Sequence, residues 1–131
     1  MLAEGKHYTR NEIHAVHGGG IQGYLPHKDG RVVAGCFGLK NNPEAPEVVL
    51  VGSGPQTMRW AEVLCGQEGP IPVFLKRRIN EWEYVGEYEV DDWTEDPGRL
   101  AQYCQRSGRS GLTRVFFLSK RRAEATRDQL S

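Results

Sequence analysis

The sequence predicts an α+β domain, a strongly bent mixed sheet or open β-barrel flanked by two to three helices. Three observations carry this expectation. Short runs with strand character recur between turns, and the chain holds 16 glycines and 7 prolines, a composition suited to turn-rich sheets. Helix-like stretches interrupt those runs irregularly, unlike the steady β–α alternation of a doubly wound sheet. Residues Ile71 to Val90 read as a long hairpin whose second strand alternates aromatic and acidic side chains. A chain of 131 residues fits one domain with a core of its own.

Taken in order, Tyr8–His17 reads as a short helix, because Thr9 and Glu12 stand in the capping-box relation and a glycine triplet at Gly18–Gly20 stops it. The stretch IQGYLPHKDG is expected as a loop closed by the turn signal Asp29-Gly30. Arg31–Leu39 reads as one strand, and Glu47–Val51 as a buried one. Between them Asn41–Pro46 is a rigid polar connection. Gly52-Ser53-Gly54-Pro55 leads into a helix through Gln67, with Met58, Ala61, Leu64 and Cys65 on its sheet-facing side. The hairpin follows, with Trp82, Tyr84, Tyr88 and Val90 expected on one face of its second strand and the glutamates on the other. Asp96-Pro97 starts a helix to about Arg106, and Thr113–Leu118 is the last strand. The chain therefore divides into one domain over residues 1–119 and a polar, helix-prone tail over 120–131.

The net charge is zero, with unequal distribution. From Lys76 to Asp96 there are three bases and eight acids, and from Pro97 onward eight bases and two acids. A neutral total thus leaves room for an anionic partner on a local basic face. No apolar run approaches the roughly 20 residues of a membrane span, and the first residues lack a signal peptide's apolar segment. Three widely spaced cysteines, Cys36, Cys65 and Cys104, form no CxxC, which fits buried thiols in a reducing, cytoplasmic compartment (nuclear in a eukaryote).

Catalytic signals are absent. Gly52-Ser53-Gly54-Pro55 lacks both the GK[ST] of a phosphate loop and a full GxGxxG, so it reads as a helix cap. The histidines His7, His14, His17 and His27 have no companion carboxylate or thiol at ligand spacing, so neither a metal nor a cofactor is expected. Cys36 lies in an apolar strand, where thiols are inert core residues. Binding is the better supported chemistry. Tyr24, Trp82, Tyr84 and Trp93 can stack on a base, and Lys76, Arg77, Arg78 and the C-terminal arginines, Arg109 among them, can meet phosphates. Gln67 and the Asn41-Asn42 pair carry amides able to read a base edge.

The ordered pieces GKHYTRNEI, GYLP, NNPEAP, EVVLVGSG, CGQEG, PVFLKR, NEWEYVGEYEV and RSGLTRVFFLS resemble the PUA-like superfamily. Within it they are similar to the DNA-reading SRA/YDG and EVE domains and the modules of modification-dependent restriction endonucleases. The resemblance covers residues 5–119. The glycine-rich segments with paired aspartates that mark SRA domains are missing, so a 5-methylcytosine pocket of that kind does not carry over. The resemblance implies a bent sheet with a concave pocket, no catalysis, and a modified or flipped base in DNA as partner. It places Tyr24, Trp82 and Tyr84 near the pocket, Gln67 as edge reader, and Lys76, Arg77 and Arg78 as backbone anchors. The protein is expected to act as a monomer or weak homodimer, as the sensor of a restriction, defence or epigenetic-reader system. The alternatives are an RNA-binding PUA or ASCH-type module and a reader of phosphorothioate DNA.

Overall fold

The structure, a computed structural model, describes residues 2–121. Its elements are β1 (His7–Tyr8), α1 (Arg10–His17), β2 (His27–Lys28), β3 (Arg31–Val32), β4 (Gly35–Gly38), β5 (Val48–Val51), α2 (Pro55–Gly66), β6 (Ile71–Arg78), β7 (Glu81–Thr94), α3 (Pro97–Ser107) and β8 (Arg114–Lys120). The main sheet runs β4-β6-β7-β8-β5 with β1 added to β7, and it is mixed: β4 pairs β6 in parallel, all other neighbours antiparallel. Among the described residues it curls almost into a barrel with three helices around it, the bent, barrel-like α+β fold that the sequence predicts.

Alternation builds two layers on β6. Ile71, Val73 and Leu75 point into the barrel, where they meet Phe37, Val49, Val51, Phe116 and Leu118. Phe74 points the other way, into a second cluster with Ile13 of α1, Ala34, Cys36 and Trp82. A third, smaller cluster of Leu50, Leu112 and Val115 sits under α3, beside Leu100 and Tyr103. The helices start as their sequences require. Glu12 N donates to Thr9 Oγ1 and Thr9 N donates to Glu12 Oε1, completing the capping box of α1. Asp96 Oδ2 accepts from Arg99 N to cap α3.

Three expectations are corrected. Arg31–Leu39 is not one strand: β3 pairs with β2 across the Asp29-Gly30 turn, and only β4 joins the main sheet. Met58 does not face the sheet but is 46% exposed, while Ala61 and Leu64 are buried. The aromatic side chains of β7 do not share one face. The ladder with β6 shifts between Val73↔Gly86 and Phe74↔Tyr84, leaving Val85 as the extra residue of a bulge. The bulge turns the strand over, because one inserted residue inverts a two-residue alternation. Trp82 and Tyr84 therefore pack beside Phe74 outside the barrel, whereas Tyr88 and Val90 pack within it. Of the tail, Lys120 closes β8 and 122–131 lie outside the described residues.

Gly86 makes the bulge possible. Its φ is +119°, and an added Cβ would lie 2.7 Å from Lys120 Cε. The lysine can move, but the backbone conformation is closed to other residues. Gly86→Ala is expected to cost about 1–3 kcal/mol, read as a lower urea midpoint at unchanged m-value.

Candidate nucleic-acid interface

An open cleft of about 420 Å³ lies where the first loop, the end of β4 and the β6–β7 hairpin meet, within the ~300–1,000 Å³ usual for small-ligand sites. Tyr24, Trp82, Lys76, Arg10, Asn42 and Cys36 are among its walls. Lys76 and Trp82 are cross-strand partners on β6 and β7, so they share a face, and the ammonium stands 5.9 Å from the centre of the indole. Tyr24 is fixed by its hydroxyl, which donates to Thr57 O of α2 at 2.6 Å, while its ring packs on the main core. Burial pushes the Tyr24 hydroxyl far above its ordinary pKa, with the nearby Arg114 opposing, so it stays a neutral phenol.

Arg10 organises this cleft. It follows the Thr9 cap at the first position of α1, and it is 8% exposed. Its Nη1 and Nη2 donate to Gly23 O at 3.0 Å and Gly20 O at 3.2 Å, shaping the loop that presents Tyr24. Its own N–H donates to Asn80 Oδ1 at 3.0 Å, tying α1 to the hairpin turn, and its guanidinium lies 5.2 Å from the Trp82 ring centre. Arg10 Nε and Trp82 Nε1 are buried without hydrogen-bond partners, an arrangement that costs about 1–3 kcal/mol per group. Burial raises the Cys36 thiol from 9.0 to about 11, with Arg10 opposing, so Cys36 is a neutral wall of the cleft.

Of the residues singled out by sequence, Tyr24, Asn41, Asn42, Lys76 and Trp82 converge on this cleft, while Trp93 lines a different cavity. Trp82 is 8% exposed and serves core and cleft at once. The others stand around it. Arg109 Nη1 donates to Asn41 O at 2.9 Å and Leu50 O at 3.3 Å, steadying the loop that carries Asn42 from behind. Arg77 and Arg78 are exposed on the hairpin and paired with Glu83 at 2.7 Å and Glu81 at 3.1 Å. Tyr84 packs 5.2 Å from Phe74 and donates its hydroxyl to Glu87 at 2.6 Å, away from the cleft walls. Gln67 is committed at both ends of its amide, accepting from Val32 N at 2.8 Å and donating to Val32 O at 2.9 Å. Arg10 and Asn80 escaped the sequence reading: one looked like a polar helix residue and the other like a turn former, and no spacing signals their meeting.

A larger cavity of about 740 Å³ lies elsewhere, between the end of α2 and the middle of β7. Glu68, Glu89, Asp91 and Asp92 line it against Arg121, which is itself paired with Glu89. Its size favours it, but four carboxylates repel a polyanion. The smaller cleft carries Arg10 and Lys76 and no carboxylate among its described walls. Among the described residues, no three His, Cys, Asp or Glu side chains gather as a metal site requires. The histidines serve packing and pairing: His27 stacks on Trp60 at 3.5 Å and His7 Nδ1 lies 3.4 Å from Glu81. No helix among the described residues is long and apolar enough to cross a membrane.

No family model matches the chain, and no curated protein matches its sequence. Among solved structures, it is similar to the SRA domain of SUVH5 crystallised with hemi-methylated CG DNA, with a TM-score of 0.64. The match covers 93% of this chain and 90% of that one at 16% identity, so what the two share is the fold.

Two outcomes follow for the cleft. Arg10→Ala removes two charged hydrogen bonds and is expected to destabilise by about 2–3 kcal/mol, whereas Lys76→Ala at an exposed position stays within about 0.5 kcal/mol; parallel urea titrations read both. The Cys36 thiol is raised from 9.0 to about 11 on folding, so its contribution is intact below pH 9 and is lost as pH climbs toward 11. Cys36→Ala removes that part of the alkaline decline, and native-state alkylation of Cys36 at pH 8 is expected to be far slower than in urea.

Proposed function

We propose that the protein is a non-catalytic reader that accepts a modified base, everted from duplex DNA, in the cleft between Tyr24 and Trp82. The observation that carries this reading is the convergence of a phenol, an indole and two cations on a cavity free of described carboxylates. Its likeness in fold to an SRA domain solved with hemi-methylated DNA supports the same class of partner. Eversion costs a few kcal/mol of lost stacking and pairing, which contacts inside the pocket must offset. In this reading the ring of Tyr24 and the edge of Trp82 bound the base. Lys76 meets the phosphate beside the everted nucleotide, as an exposed ammonium with no ion pair among the described residues. Arg77 and Arg78, held by glutamates on the adjoining strand, are placed to exchange those partners for the DNA backbone. Arg109, Gln67 and Tyr84 act behind the surface: Arg109 steadies the Asn41-Asn42 loop, Gln67 pins β3 to the end of α2, and Tyr84 supports the outer cluster. The chain then serves as the sensor of a restriction, defence or epigenetic-reader system, as a monomer or weak homodimer.

Fluorescence anisotropy with matched duplexes, unmodified or carrying one modified base, tests the proposal. A modified duplex is expected to bind at least tenfold tighter than its unmodified twin, with affinity falling steeply as salt rises. Lys76→Ala should weaken all duplexes alike and reduce the salt slope by about 1. Equal, negligible binding to every duplex at low salt rejects the reading. Preference for an RNA of the same sequence moves it to the RNA-binding class.

A further inference from the structure

The hydrogen-bonding character of the cleft is one-sided, and this bears on which bases it accepts; the argument rests on the reader function proposed above. Asn42 is 5% exposed, and its Oδ1 accepts from Leu50 N at 2.7 Å. A backbone N–H can only donate, so the orientation of this carboxamide is fixed and its NH2 is the end left over. Asn80 is fixed the same way, with Oδ1 accepting from Arg10 N at 3.0 Å. Lys76 adds an exposed ammonium on the same wall.

Several backbone acceptors of the walls, by contrast, already hold a donor. Gly23 O accepts from Arg10 Nη1 at 3.0 Å and Asn41 O from Arg109 Nη1 at 2.9 Å. Gly38 O accepts from Asn42 N at 2.9 Å and Tyr24 O from Cys36 N at 2.8 Å. No Asp or Glu stands among the described walls. Only the amides of Gln22 and Asn41, exposed on the rim, are free to turn either way.

We infer that the cleft selects a base edge made of oxygen acceptors over one that presents an exocyclic amine. The ligands this chemistry fits are 5-substituted uracil-type pyrimidines, which present a 4-oxo group, including one that bears a carboxylate on C5. A cytosine-type edge would set its amino group against the NH2 of Asn42 and the ammonium of Lys76, donor against donor, and leave it unpaired. Asn42 is the specificity-determining residue, and Arg109 positions its loop.

The test uses the full chain and duplexes differing at one central base: cytosine, 5-methylcytosine, 5-hydroxymethylcytosine, thymine, 5-hydroxymethyluracil or 5-carboxyluracil. Asn42→Asp replaces one NH2 by oxygen and keeps the acceptor that Leu50 N requires. The native protein is expected to favour a 5-hydroxymethyluracil or 5-carboxyluracil duplex at least tenfold over 5-methylcytosine and 5-hydroxymethylcytosine. Asn42→Asp should shift that ratio at least tenfold toward the amino-bearing bases, its melting profile confirming the fold. Lys76→Gln separates the two favoured ligands, weakening 5-carboxyluracil more than 5-hydroxymethyluracil. Tighter native binding to 5-methylcytosine, or a ratio that neither variant moves, overturns the inference while leaving a modified-base reader in place. Failure of every modified duplex to outbind cytosine removes the reader function itself, and this inference with it.

Discussion

The buried guanidinium of Arg10 is the interaction on which the cleft depends. A charge so deeply placed is tolerable only when its protons are used, and here two of them hold Gly20 O and Gly23 O while the ring of Trp82 covers the plane. Loop, helix and hairpin are thereby fixed to one another at one point. The Nε proton, by contrast, is buried without an acceptor, as is the indole N–H of Trp82.

The bulge at Val85 decides which aromatics are available to that cleft. Without it, Trp82 and Tyr88 would lie on the same face of β7, and the strand would present a continuous aromatic ledge. With it, Tyr88 closes the barrel core while Trp82 comes to lie across from Lys76 on the outside. Electrostatics then separates this cleft from the larger hollow further along β7. The acidic one borders the inner part of β7, and the cationic one borders its start. An anionic polymer can approach the second and is repelled from the first.

Much of the fold was legible in the sequence because its cues are local. The Thr9–Glu12 capping box, the Asp96-Pro97 start and the two strands of the long hairpin each announce themselves within a few residues. What was not legible depends on partners far apart in the chain. The split of Arg31–Leu39 arises because β3 finds β2 while β4 finds β6, some 38 residues away at the Gly35↔Val73 pairing. The bulge is a mismatch between two strands and leaves only Gly86 as its trace. At the site, Tyr24, Lys76 and Trp82 could be named because their side chains advertise stacking and charge. Gln67, an apparent edge reader, is held by a backbone pair whose proximity no local pattern encodes. Arg10 and Asn80 meet across 70 residues of sequence, so their roles emerge only once the sheet has closed.

The central claim, that an everted base occupies the cleft beside Tyr24 and Trp82, is tested most directly by a crystal structure with the tightest-binding modified duplex. The modified base is expected outside the helical stack, between those two rings, with Lys76 at the flanking phosphate. A base that remains stacked in the duplex, or DNA seated against the acidic cavity near Asp91 and Asp92, would contradict it.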